Sequence, residues 1–151
     1  MLPAAGRPGG VTFIAIMAFI SAGFLILAAM VYFTAAAGVG EFADQPIMRL
    51  LAWLMPVIGD SENDMLMSLN IAAVLALLFA AASIASGYGL LKLRKWGWIA
   101  ALVVLGLGVL HALAMLVTGQ GMIVVHLIGA GLEVWAGVYL LQSKIKQRFA
   151  N

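Results

Sequence analysis

Long apolar runs dominate the chain, and charged residues are confined mostly to the short stretches between them. Four runs reach the length of about 20 residues that a helix needs to cross about 30 Å of hydrocarbon: residues 11–39, 65–91, 96–118 and 121–142. Open sheet edges cannot lie in lipid and the runs are too long for barrel strands. The pattern therefore predicts an all-α membrane protein with four transmembrane helices.

The connections between the runs predict how the helices are arranged. Residues 92–95 join the second run to the third, and Gly119 and Gln120 join the third to the fourth. Connections this short force antiparallel neighbours, so we expect one membrane domain over residues 1–151, folded as an up-down antiparallel bundle. The first run is about twice as long as the apolar region of a secretory signal peptide, so we expect this helix to be retained.

The first connection, residues 40–64, is the only sizeable stretch outside the runs. Within it, residues 47–55 are apolar apart from Arg49 and are too few to span a bilayer. This pattern predicts a short interfacial or re-entrant helix in the first outer loop. Arg49 and Trp53 are candidates for an outer lid, which would either seal the end of the bundle or cover a ligand.

Composition excludes the main soluble classes. The chain is 65% hydrophobic and 9% charged and has no cysteine, whereas soluble domains average about 45–50% apolar and about 25% charged residues. So little charge cannot cover the surface of a soluble globule, and a chain this apolar does not stay disordered. The absence of cysteine excludes thiol chemistry and thiolate metal sites.

The positions of the basic residues predict the orientation. With four spans, seven of the eight Lys and Arg fall on one side: Arg7, Lys92, Arg94, Lys95, Lys144, Lys146 and Arg148. Arg49 and five of the six acidic residues fall on the other side. The positive-inside rule then predicts a multi-pass protein of the cell inner membrane with cytoplasmic N- and C-termini. Because the basic residues flank apolar runs, they indicate topology, and we expect no nucleic-acid partner.

Small residues are the candidate contact points, because lipid supplies no hydrophobic force between helices. On the second helix they are Ala72, Ala76, Ala80, Ser83 and Gly87, on the third Gly106, and on the fourth Gly129 and Gly137. The few polar residues inside the spans are expected to bond to nearby backbone carbonyls or neighbouring helices. They include Thr12, Ser21, Thr34, Asn70, Ser83, Ser86 and Thr118.

Glu133 is the first candidate for function. It lies about 13 residues into the fourth run, or roughly 20 Å along the helix, just past the middle of the membrane. An ionised carboxylate there costs roughly 2.5–3.5 kcal/mol on insertion scales, so the group should face the bundle, bind a donor or stay protonated. Two interpretations stay open: a proton- or cation-coupling site, and a protonated group that makes one interhelical hydrogen bond.

His111 and His126 form the second candidate. In the hairpin of the last two helices they fall at matching depths, about 10 Å below the outer surface, and His126 lies two turns from Glu133 on nearly the same face. The pair could share a proton, bind a metal, ligate haem or hydrogen-bond between helices. Two histidines and a distant glutamate fall short of the three or four ligands of a zinc site, so we expect no metal site and no cofactor, with haem as the remaining alternative.

One stretch resembles a known group of proteins. Residues 87–98, Gly-Tyr-Gly-Leu-Leu-Lys-Leu-Arg-Lys-Trp-Gly-Trp, precede a hairpin that ends in Tyr-Leu-Leu at residues 139–141. This part of the chain resembles small four-helix bacterial inner-membrane proteins of unknown function, in which a similar turn forms the inner loop between the middle helices. The resemblance implies the four-helix fold and implies no catalytic residues.

No catalytic motif accompanies these features. The sequence has no Walker loop and no HExxH, GxGxxG or CxxC motif. We therefore expect a non-enzymatic helix-bundle subunit of an oligomer or larger membrane complex, with the lipid bilayer and other membrane subunits or copies of itself as partners. The first alternative is a proton-coupled carrier or small channel that uses Glu133 with His126 and His111. The second is a haem- or quinone-binding membrane subunit.

Overall fold

The computed structural model describes residues 6–37, 62–118 and 123–149. These residues form four long helices, α1 (Gly9–Ala37), α2 (Glu62–Leu91), α3 (Lys95–Thr118) and α4 (Ile123–Leu141), then the short helix α5 (Ser143–Lys146) and a 3-10 turn (Gln147–Phe149). No strand occurs in these three ranges. The all-helical prediction is confirmed, and the helix bounds follow the four apolar runs to within a few residues.

Three helices are long and apolar enough to cross a membrane. They are Gly9–Ala37, Leu66–Leu91 and Lys95–Val117, with mean hydropathies of 2.6, 2.2 and 2.5. The fourth apolar segment, His126–Leu141, is shorter. The predicted interfacial helix over 47–55 and the lid residues Arg49 and Trp53 lie outside the described residues.

The turn between α2 and α3 reverses the chain within three residues. Leu93 adopts a positive φ of 51°, the backbone N–H of Leu93 donates to Leu90 O at 3.0 Å, and the N–H of Arg94 donates to Gly89 O at 2.9 Å. These two bonds form a Schellman motif, which satisfies the last carbonyls of α2. Leu93 takes the position that glycine usually occupies, and its side chain packs against the core.

Two glycines bring α2 and α3 into backbone contact beside this turn. A Cβ atom added at Gly89 would overlap Gly97, and one added at Gly97 would overlap the backbone of Gly89. Neither position therefore has room for a side chain. This contact sets how closely α2 and α3 approach at the start of their hairpin.

The buried core is divided into two clusters. The first draws on all four long helices and the C-terminal turns, and consists of Val11, Ile14, Ala15, Leu90, Ala101, Ala136, Leu140, Ile145 and Phe149. The second comes from α1 and α2 alone, and consists of Ala29, Tyr32, Ala35, Leu69, Ala73 and Ala76. In the part of the chain that the structure describes, the four helices thus share a core only at the end where α1 and α3 begin and α2 and α4 end. We call this the basic end, because the α2–α3 turn and the C-terminal segment bring their Lys and Arg there.

The bundle is incompletely closed between its first and last helices. α1 packs most extensively on α2, and α2–α3 and α3–α4 are also substantial contacts, whereas α1 and α4 touch over a small area. Their contact includes Gly10, where a Cβ would overlap the Tyr139 ring. It also includes an edge-to-face pair of Phe13 and Trp135, with ring centroids 6.0 Å apart. Both contacts belong to the half of the molecule near the basic end.

The predicted small-residue contacts are confirmed on α2 and wrong elsewhere. Ala76, Ala80 and Ser83 are buried, and a Cβ at Gly87 would lie 3.2 Å from Phe19 Cζ on α1. In contrast, a Cβ added at any of the three glycines predicted on the other helices would meet nothing within 4 Å: Gly106, Gly129 and Gly137. The physical reason is register, since a glycine marks a contact only if its face of the helix turns toward a neighbour.

Three polar side chains inside the helices bond to their own backbone, as predicted. Thr34 Oγ1 donates to Met30 O, Asn70 Nδ2 donates to Leu66 O at 2.9 Å, and Ser86 Oγ donates to Ser83 O at 2.9 Å. Such bonds satisfy a polar group within one turn of helix, so these residues need no partner helix.

Candidate functional site at the α3–α4 interface

Glu133 on α4 lies directly against the backbone of α3. A Cβ added at Gly108 would overlap the Glu133 carboxyl group, including both of its oxygens. Only glycine at this position of α3 leaves space for the carboxyl. Glu133 therefore faces the neighbouring helix, as the cost of exposing it to lipid predicts.

One oxygen of this carboxyl group has no hydrogen-bond partner. Glu133 Oε2 is buried, and within the described part of the chain no donor or acceptor reaches it. An unsatisfied buried polar atom typically costs about 1–3 kcal/mol. In native proteins the missing hydrogen bond of such an atom is usually made by a water, a transferred proton or a group from a partner.

The structure brings His111 and His126 together across the same interface. Their ring centroids are 6.1 Å apart and the ring planes are tilted by 50°. His111 is exposed on the surface of the chain and His126 is partly buried. The two imidazoles lie side by side across the hairpin, as its register predicts. This separation of the centroids leaves the ring nitrogens too far apart for a direct hydrogen bond, so a proton would need a bridging water to pass between them.

The carboxyl and the two imidazoles occupy successive levels of one interface. Gly108, which the Glu133 carboxyl contacts, lies one turn from His111 on α3, a rise of about 4.5 Å. On α4, His126 and Glu133 are two turns apart, a rise of about 10.5 Å. The three groups therefore follow the α3–α4 contact from near mid-helix toward the end of the hairpin. At these separations the carboxyl does not reach the imidazoles directly, so water would have to connect them for a proton to pass.

Two glycines flank Glu133 along α4. Gly129 and Gly137 lie one turn on either side of Glu133, and a Cβ at each would meet nothing within 4 Å. The structure shows that the two glycines are not packed against another helix.

Gly108 is the residue of this site that the sequence interpretation missed. The hairpin register does not single it out, because counting outward from the turn at Gly119 and Gln120 places Gly106, and not Gly108, at the same distance as Glu133. Only the contact in the structure shows that Gly108, two residues further along α3, faces the carboxyl.

The same residues do not form a recognisable metal centre. Across residues 6–37, 62–118 and 123–149, no three His, Cys, Asp or Glu side chains cluster closely enough to hold a metal ion. The haem or quinone hypothesis stays a prediction, and the lid residues Arg49 and Trp53 lie in the part of the chain that is not described.

Comparison with known proteins adds no relative. No family model matches the chain, and neither curated proteins nor solved structures contain a match. The function is therefore argued from the chain's own chemistry.

Proposed function

We propose that the protein is a four-span inner-membrane protein that works as a non-enzymatic helix-bundle subunit of an oligomer or larger membrane complex. The observation that carries this proposal is the incomplete closure between α1 and α4. A four-helix bundle that serves as its own complete unit packs each helix against two neighbours. Among the described residues, the core cluster of α1 and α2 away from the basic end contains no residue of α3 or α4.

The exposed surface supports placement in lipid. Large apolar side chains are exposed on every long helix, including Phe24 at 69%, Leu78 at 61%, Val117 at 87% and Ile128 at 60%. A soluble monomer rarely presents so much contiguous apolar surface. In our proposal lipid covers most of it, and helices of a second copy or another subunit cover the side between α1 and α4.

The proposed orientation places the basic end in the cytoplasm. α4, Ile123–Leu141, has 19 residues, which gives a length of about 28 Å at about 1.5 Å per residue and nearly matches the hydrocarbon thickness. With α4 as a fourth span, Arg7, the α2–α3 turn and the C-terminal segment share one side. The positive-inside rule then assigns that side to the cytoplasm.

Extraction in mild detergent followed by native mass spectrometry tests the subunit proposal. We expect a defined oligomer or a stoichiometric complex with another membrane protein. A single-cysteine pair gives a matched comparison: Phe24→Cys places a thiol on the exposed face of α1, and Ala29→Cys places one in the α1–α2 core, where the residue is 1% exposed. Cross-linking in membranes should occur at the first position and fail at the second. A lone monomer that cross-links at neither position would overturn the proposal.

A second candidate function, proton-coupled transport, is favoured by the unsatisfied Glu133 oxygen. A buried carboxyl that lacks a fixed donor can take up and release a proton without breaking an internal hydrogen bond. Gly129 and Gly137, one turn on either side, add no side chain there, which would leave room for a water. His111 and His126 would extend the path toward the far end of the hairpin.

Proton flux into liposomes tests this second candidate. Glu133→Gln keeps the size of the side chain and removes its titratable proton. A pH-sensitive dye reports proton flux under an imposed potassium diffusion potential. If Glu133 carries the proton, the Glu133→Gln variant should abolish this flux. Glu62→Gln, which neutralises an acidic residue at the start of α2, is the matched control and should leave the flux intact. Unchanged flux in Glu133→Gln would eliminate the candidate.

A further inference from the structure

The C-terminal segment, residues 142–149, folds back onto the basic end and is held there. Ile145 and Phe149, four residues apart, enter the first core cluster and are 8% and 1% exposed. The indole Nε1 of Trp98 donates to Leu140 O at 2.9 Å and ties the end of α4 to α3. The segment therefore has a fixed inner face, and its other face is presented outward in a defined position.

That outer face carries a basic cleft. Lys144 and Arg148, also four residues apart, line it together with Gln147 and, from the α2–α3 turn, Leu93. The cleft has a volume of about 600 Å³, within the range of about 300–1,000 Å³ that is typical of small-ligand sites. Three polar side chains and one apolar wall make it suited to a ligand that is charged at one end and apolar at the other.

The chain segments at the basic end carry no negative side chain. Residues 1–10, 92–95 and 142–151 contain seven Lys and Arg and no Asp or Glu. Two of the seven have aromatic partners. Lys92 Nζ lies 5.8 Å from the centroid of the Tyr88 ring, and Lys146 Nζ lies 5.9 Å from the centroid of the Trp98 ring. Lys144 and Arg148 line the cleft instead. The positive charge of the cleft favours an anionic ligand.

We propose that this cleft binds the phosphate headgroup of an anionic phospholipid. Arg148 supplies a planar guanidinium suited to phosphate oxygens and Lys144 supplies a second positive charge. Leu93 borders the apolar part of the lipid. The inference rests on the membrane placement proposed above, which puts the cleft beside the cytoplasmic leaflet and its anionic lipids. It does not depend on the subunit role or on Glu133.

Lipid binding to the purified full-length chain in neutral detergent tests the proposal by native mass spectrometry. Phosphatidylglycerol should bind, phosphatidylcholine should bind at least tenfold more weakly, and inorganic phosphate should not displace phosphatidylglycerol. The double variant Lys144→Gln/Arg148→Gln should lose tenfold or more of its phosphatidylglycerol affinity. The matched control Arg7→Gln/Lys95→Gln removes two charges from the same end outside the cleft and should change the affinity by less than threefold.

Several results would overturn the inference. Equal losses in the two double variants would mean that diffuse charge, and not the cleft, attracts the lipid. Equal binding of the two phospholipids would exclude selection of an anionic headgroup, and displacement by inorganic phosphate would identify a site for a soluble anion. A thermal melt of each variant checks that the bundle is folded. Labelling of the two termini tests the membrane placement separately, so failure of the topology and failure of the lipid site are distinguishable.

Discussion

Glu133 and Gly108 are sterically coupled, because the Glu133 carboxyl occupies the volume that a side chain at position 108 of α3 would fill. Sequence reasoning identified Glu133, His111 and His126, since ionisable residues in an apolar run stand out by chemistry alone. It did not identify Gly108 and selected Gly106 instead. The two glycines differ by about 200° around the helix axis at about 100° per residue, and composition does not show which one faces α4.

Gly108→Ala should destabilise the bundle by about 1–3 kcal/mol, because the added methyl group overlaps the Glu133 carboxyl and forces a shift of side chain or helix. Gly106→Ala, where a Cβ meets nothing within 4 Å, is the matched control and should cost nothing. Thermal unfolding in detergent measures both variants. In a Glu133→Ala background the penalty of Gly108→Ala should largely disappear; an unchanged penalty would show that the carboxyl is not the obstacle.

The four long helices could be predicted from the sequence, whereas the C-terminal turns and the packing faces were not. The bounds of α1 to α4 follow from run length and charge, because a spanning helix must be apolar over its whole thickness. The same requirement makes the helices apolar on every side, so hydrophobic periodicity does not separate lipid-facing positions from buried ones. Only the small-residue repeat of α2 marked its contact correctly, and the glycines of α3 and α4 at 106, 129 and 137 did not.

The glycine contact between α2 and α3 gives a prediction for the pair of helices. Gly97→Ala should separate them near their turn and lower stability by about 1–3 kcal/mol, because the new Cβ overlaps the backbone at Gly89. Gly129→Ala, placed where space is open, should be neutral or slightly stabilising, since alanine favours a helix more than glycine does. Chemical or thermal unfolding in detergent compares the two. Equal behaviour of the variants would refute the close approach of α2 and α3.

The molecule as a whole is a set of antiparallel helices. All four long helices pack together at the basic end, and they pack less completely away from it. The first core cluster joins all four long helices with Ile145 and Phe149, and the second joins only α1 and α2. This division could not be predicted from loop lengths, which fix the antiparallel order but not the contact between the first and last helices. The candidate subunit contact, the Glu133 site and the basic cleft proposed to bind lipid lie in separate parts of one small protein.

Accessibility of single introduced cysteines tests the four-span topology most directly. The chain contains no cysteine, so each new thiol is the only one present. A membrane-impermeant maleimide applied to intact cells should label Ser61→Cys, in the acidic connection, and leave Gly6→Cys and Ser143→Cys unlabelled until the membrane is permeabilised. Labelling of Gly6→Cys and Ser143→Cys from opposite sides of the membrane would contradict an even number of spans and the orientation proposed here.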